Sequence, residues 1–198
     1  AVLVADPAVG ETIATAAAAH PAMPLLSAGF EVDRRSPLER EALQLDACAA
    51  LVARLGGRFV TVFAFSDGAS PTAVRLPRLR EVVRRHGLAL LVETHRRTST
   101  QDPEQALALV REHGVPVTLD HSHYVASGEP RARFAALRPH AGLVQLRGCA
   151  PGRVEAPVDP AEVADWIAWL EEGVPADAPF VAELIDRGRD PWPDLHAL

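Results

Sequence analysis

The chain has 198 residues, 48% of them hydrophobic, and a formal charge of −6, which suits a single globular domain over residues 1–198 with one sizeable core. No run reaches the ~18 apolar residues of a membrane span and no basic–apolar–small leader is seen, so a cytoplasmic protein without a membrane partner is expected. The acidic balance argues against an extended nucleic-acid footprint. All 20 cationic side chains are arginine, which excludes a lysine Schiff base, a lysine-anchored pyridoxal cofactor and a Walker-type phosphate loop.

Apolar runs of strand length alternate with amphipathic stretches. The expected strands are Ala1–Ala5, Pro24–Ala28, Phe59–Phe65, Leu88–Glu93, Val115–Asp120, Gly142–Gln145 and Phe180–Glu183. The expected helices are Val9–Ala19, Pro37–Leu55, Pro71–His86, Pro103–His113, Pro130–Leu137 and Pro160–Glu172. Prolines stand at most helix starts, where a missing N–H costs little. Glycines such as Gly87 and Gly114 follow helix ends, the usual stop. Gly29–Pro37 and the tail after Arg187 read as loop. Cys48 and Cys149 form no metal spacing, and Cys48 reads as a small core residue.

Continuous apolar strands alternating with helices predict a parallel sheet covered by helices. Four of the strands end on an oxygen donor: Glu93, Asp120, Gln145 and Glu183. Their spacings are 27 (93 to 120), 25 (120 to 145) and 38 (145 to 183) residues, each about one β/α unit. A closed (β/α)8 barrel brings successive strand ends to one rim, so a TIM-barrel type is the expected α/β fold. Only seven strands are counted, so a first β/α unit is expected to be lacking. The edge thereby exposed would invite a homodimer or coverage by another segment.

Oxygen donors of this kind suit hard or borderline divalent cations. Gathered at one rim without a cation, the three carboxylates would repel one another and their pKa values would rise. Around them stand further polar side chains. His95 shares the strand face of Glu93. One of His121 and His123 is expected to point at the site while the other caps or packs. Arg147 alternates inward with Gln145, either to fork a substrate oxygen pair or to pair with a rim carboxylate. Arg153, in the next loop, is placed to reach over the pocket. Trp166 and Trp169 read as packing residues.

At these residues the chain resembles the xylose-isomerase-like TIM-barrel superfamily of sugar isomerases and epimerases. The segment LVETHRR (Leu91–Arg97) is similar to its Glu-x-Asn/His strand end, and DHSH (Asp120–His123) to its Asp-x-x-His. DHSHYVASGE with the later QLRG…APVDP resembles a sugar-phosphate-isomerase-like branch. Gln145, where most members carry His, together with Pro151-Gly152-Arg153, is similar to hydroxypyruvate isomerase. The resemblance covers roughly Leu38–Leu184 and is sharpest from Leu88 to Arg153.

The resemblance implies one divalent cation (Mn2+, Mg2+, Co2+ or Zn2+) held by Glu93, Asp120, Gln145 and Glu183. It implies Glu93 and Glu183 as the catalytic pair, with His95, His123, Arg147 and Arg153 binding substrate and His121 serving structure. The expected activity is isomerisation or epimerisation of a small sugar or hydroxycarbonyl compound by proton transfer through an enediolate. Two alternatives stay open. One is a metal-dependent dehydratase on a related polyol or keto substrate, and the other a barrel-derived binding domain without catalysis.

Overall fold

The structure is a computed structural model that describes residues 26–30, 35–65, 71–157 and 159–183, together with residue 15. The expected strand Ala1–Ala5, the helix Val9–Ala19 (residue 15 apart) and the tail after Arg187 lie outside the described residues. The chain packs as two compact units, Ala1–Val92 and Glu93–Leu198.

The first unit holds strands β1 (Ser27–Phe30), β2 (Phe59–Val62) and most of β3 (Ala89–Glu93), with helices α1 (Leu38–Arg54) and α2 (Thr72–Arg84). The strands are parallel and in chain order, with Ser27 opposite Phe59 and Phe59 opposite Ala89. β1 runs two residues beyond its expected end, because the register with β2 continues to the pairing of Phe30 with Val62. All four residues of β2 are buried, as a strand covered on both faces requires.

Helices α1 and α2 lie against each other and bury Leu45, Cys48, Val52, Leu76, Leu79 and Val83. Between them sits a buried ion pair. Arg75 Nε donates to both carboxylate oxygens of Glu41 at 2.9 Å, and Nη1 donates to the Phe63 carbonyl at 2.6 Å. The pair ties both helices to the segment leaving β2.

The second unit starts at Glu93, the last residue of β3, and adds the parallel strands β4 (Val117–Asp120), β5 (Ala141–Leu146) and β6 (Phe180–Ala182). Its helices are α3 (Pro103–His113), α4 (His121–Ala126), α5 (Arg131–Phe134) and α6 (Pro160–Glu171), with a 3-10 turn over Ala135–His140. Asp102 caps α3 by accepting from the Glu104 and Gln105 N–H groups, and Asp159 caps α6 by accepting from Ala161. Each is followed by proline at the first helical position, as the sequence predicts. Gly114 closes α3 in the left-handed region, φ 59°, where a side chain would be strained.

Two helical elements of this unit differ from expectation. The helix expected over Pro130–Leu137 is four α-helical residues followed by a 3-10 turn, and Pro139 within that turn removes a donor an α-helix would need. Helix α4 is unexpected, since six residues are too few to show a period. It begins directly where β4 ends, because Asp120 accepts from the Ser122 N–H at 2.9 Å and acts as its cap.

The core of this unit gathers Val117, Leu119, Tyr124, Phe134, Val144, Trp166 and Leu170. Phe134 is its hub, stacked on Tyr124 at 5.0 Å and meeting the edge of Trp169 at 5.4 Å. Both tryptophans pack, as read from the sequence.

Glu41→Ala strands Arg75 as a buried, uncompensated charge and is expected to cost about 3–5 kcal/mol in urea unfolding. The double substitution Glu41→Met with Arg75→Met removes both charges and is expected to recover most of that loss. Equal destabilisation by the single and double variants would show that the pair is not what holds these helices.

Candidate functional site

All the residues of the site belong to the second unit and lie at the C-terminal ends of its strands. Asp120 on β4 is directly opposite Gln145 on β5, and Gln145 is opposite Val181 on β6. Glu183 follows β6 and extends the pairing, its N–H donating to the Leu146 carbonyl at 2.8 Å. Glu93 is tied in from the other side, because the next residue, Thr94, donates its N–H to Thr118 at 3.0 Å.

The side chain of Thr94 staples two strand ends. Its hydroxyl accepts the Asp120 N–H at 2.9 Å and lies 3.1 Å from the Asp120 carbonyl. Past it, Thr98 and Thr100 share a hydroxyl contact of 2.8 Å, and Thr100 donates to the Glu93 carbonyl at 2.6 Å. The Tyr124 hydroxyl donates to the Thr100 carbonyl at 2.9 Å. Sequence reasoning missed this threonine lattice, and nothing in threonine spacing distinguishes it from an ordinary loop.

Asp120 is fully buried. One of its oxygens accepts from Ser122, N–H at 2.9 Å and hydroxyl at 2.6 Å. The other meets the guanidinium of Arg147 and lies 3.4 Å from His123 Nε2. The same Nη2 of Arg147 also donates to Glu183. A third carboxylate, Glu155, stands 4.0 Å from Arg147 Nη1. Arg147 therefore faces the same rim as Gln145, and its Nη2 alone serves two of the four strand-end oxygen donors.

The electrostatics separate those two carboxylates. Burial pushes Asp120 up, but Arg147, His123, His121 and the Ser122 hydroxyl outweigh it and hold the group below its ordinary value. Glu183 goes the other way: burial raises it, Arg147 opposes, and Asp120 and Glu155 raise it further. One carboxylate is thus a fixed anion and its neighbour is readier to carry a proton.

The two histidines of α4 have different surroundings. His121 is buried against Trp166, ring centroids 4.5 Å apart, with Nδ1 3.3 Å from the Gln145 carbonyl and Nε2 3.6 Å from Cys149 Sγ. Burial lowers His121 and pushes the Cys149 thiol up to about 12, so both are neutral packing partners. His123 faces His95, ring centroids 4.0 Å apart, and burial brings it down to about 4. A neutral His123 with Nε2 beside Asp120 carries its lone pair on Nδ1. That atom is buried without a hydrogen-bond partner, as is Gln145 Oε1.

Glu93, His95 and His123 bring one ligand atom each to within 4.8 Å of one another, a cation-sized cluster. His95 Nδ1 contacts the Arg96 carbonyl, which leaves Nε2 with the lone pair. The structure therefore gathers Glu93 with two histidines, and Asp120 with Glu183 around Arg147. Arg153 is exposed, in a tight turn bridged to Ala150. The donor set suits a divalent cation: three carboxylates and an unpartnered buried amide oxygen stand at successive strand ends, and an unpartnered buried imidazole nitrogen stands on helix α4.

No protein-family model matches the chain, and neither does any curated protein. Solved structures do. The probable 3-DHS dehydratase AsbF of Bacillus anthracis, involved in petrobactin synthesis, superposes with a TM-score of 0.67 at 18% identity, over 90% of this chain and 77% of that one. The 3-keto-D-glucoside 4-epimerase YcjR of E. coli gives 0.69 at 17% identity, over 94% and 84%. A xylose isomerase-like TIM-barrel protein of Mycobacterium smegmatis, in complex with magnesium, gives 0.68 at 17% identity, over 94% and 74%. Parallel strands in chain order, alternating with helices, and these likenesses agree: the chain has a TIM-barrel-type α/β fold.

Proposed function

We propose that this protein is a divalent-metal-dependent isomerase or epimerase of a small sugar or hydroxycarbonyl compound. The observation that carries the reading is the meeting of buried Asp120 and part-buried Glu183 on one guanidinium, at strand ends that also hold the unpartnered Gln145 Oε1. Strand ends that concentrate negative charge and leave an acceptor unmet are built to receive a cation. Glu93, Asp120, Gln145 and Glu183 would hold it. The fold is shared with an epimerase, a probable dehydratase and a magnesium-bound barrel, which supports this class of chemistry.

When bound, such an ion supplies Lewis-acid polarisation of the substrate carbonyl and stabilises the negative charge of the enediolate. The chain's own residues do the rest. Glu183 and Glu93 are the proton-transferring pair: one carboxylate removes the proton α to the carbonyl, and the other returns a proton to the resulting enediolate. Return to the neighbouring carbon, with the α-hydroxyl proton passing to the former carbonyl oxygen, gives an isomer, and return to the opposite face of the same carbon gives an epimer. Asp120, held ionised, stays a fixed anion throughout. His95, His123 and Arg147 orient substrate oxygens, and Arg153 approaches from its loop.

Likeness to the probable dehydratase favours a second reading of the same site, in which the α-carbanion expels a β-hydroxyl as water. Product analysis separates the two, because only the dehydratase product has lost a hydroxyl.

Glu183→Gln is expected to lower solvent exchange of the substrate's α-proton by about 10²–10⁴-fold, with circular dichroism unchanged. The exchange is read by NMR in D2O over a panel of small ketoses and hydroxyaldehydes. Full exchange in the folded variant would remove Glu183 from the mechanism. Dialysis against a chelator is expected to abolish turnover, and added Mn2+, Mg2+, Co2+ or Zn2+ to restore it. Activity that survives with no bound metal by elemental analysis would overturn the metal-dependent reading.

A further inference from the structure

Arg147 is placed unusually for a substrate-binding arginine. Its side chain is 5% exposed, and a single nitrogen, Nη2, serves both Asp120 and Glu183. Those two carboxylates are among the four residues proposed to hold a cation. The guanidinium therefore satisfies the oxygens a cation would use. Its Nε is buried without a hydrogen-bond partner, so the side chain sits where the carboxylates draw it and not where its own donors are best met. Glu155 adds a third negative charge on the Nη1 side.

We propose that Arg147 is a tethered counter-ion, which holds the carboxylates of the metal-free protein together and competes directly with the divalent cation for Asp120 and Glu183. Resting on the metal-dependent reading above, the inference adds an exchange within the site. Loading with metal requires the guanidinium to leave both carboxylates. An arginine so released keeps its charge and five donors close to the substrate position, ready for a substrate oxygen pair. Metal-free protein would then keep Asp120 and Glu183 bridged by the guanidinium instead of leaving them to repel one another.

The competition is tested by Mn2+ titration, followed by calorimetry and by electron paramagnetic resonance of free Mn2+, on wild type, Arg147→Met and Arg96→Gln. Arg96 is the control for a general field effect: its charge also reaches His123, but it donates to neither carboxylate. Arg147→Met is expected to bind Mn2+ tighter by about tenfold or more, since no ion pair has to be broken first. Arg96→Gln is expected to change affinity little. The metal-free Arg147→Met protein is expected to melt about 5 °C or more below wild type, and saturating Mn2+ to close most of that gap. Equal Mn2+ affinity in wild type and Arg147→Met, or an equal gain in Arg96→Gln, overturns the competition and leaves the metal-dependent reading standing. Absence of Mn2+ binding in all three folded proteins overturns both.

Discussion

A buried carboxylate with no exposure cannot stay ionised unless something repays its lost hydration, and Asp120 is such a group. The second unit is arranged around that requirement. Ser122 gives one oxygen two hydrogen bonds, and Arg147 and His123 approach the other. Because the charge of Arg147 is shared, Glu183 receives only part of it and keeps a raised pKa. Two carboxylates of similar intrinsic acidity thereby acquire different proton affinities. The difference arises from one shared guanidinium and unequal burial, and the proposed proton transfer would draw on it.

Positions this exacting need rigid supports, and the supports are polar as much as apolar. Thr94 joins the ends of β3 and β4, while Thr98 and Thr100 brace the backbone that carries Glu93 and His95. Helix α4 starts at Asp120 itself, so the carboxylate that anchors the site also caps the helix presenting His123. Beneath it, Tyr124 links the threonine loop to the aromatic core through Thr100 and Phe134. A change in this packing would therefore reach the site through few intermediates.

Much of this was legible in the sequence, for identifiable reasons. Buried parallel strands read as apolar runs, so their polar last residues stand out, and that contrast exposed Glu93, Asp120, Gln145 and Glu183. Prolines and acidic caps made α3 and α6 readable. Helix α4 was not, because its six residues carry no period and its only signal is Asp120, already taken as a strand end. The reading of Arg147 left open a substrate fork or a salt bridge, and only the structure shows that its Nη2 meets both Asp120 and Glu183. Period-two alternation can say that a side chain faces inward. It does not say how far a long side chain reaches, nor which of several carboxylates it selects. The approach of His95 to His123 and Glu93 likewise depends on backbone turns after β3 and β4 that no residue pattern encodes.

The segment after β5 completes the electrostatic case. Gly148 must be glycine, since a methyl there would collide with the Ala156 carbonyl, and the Ala156 N–H donates back to the Gly148 carbonyl at 2.8 Å. This tight return carries Glu155 toward the guanidinium that Asp120 and Glu183 already share. Glu155, Asp120, Glu183 and Glu93 all act on the charge of Arg147, so several acids face one base. A purely structural salt bridge has no need of such a surplus, because unmatched buried charge costs more than it returns. Excess negative charge beside unpartnered acceptors on Gln145 and His123 supports the proposal of a further cation here more strongly than the spacing of the donors along the chain does.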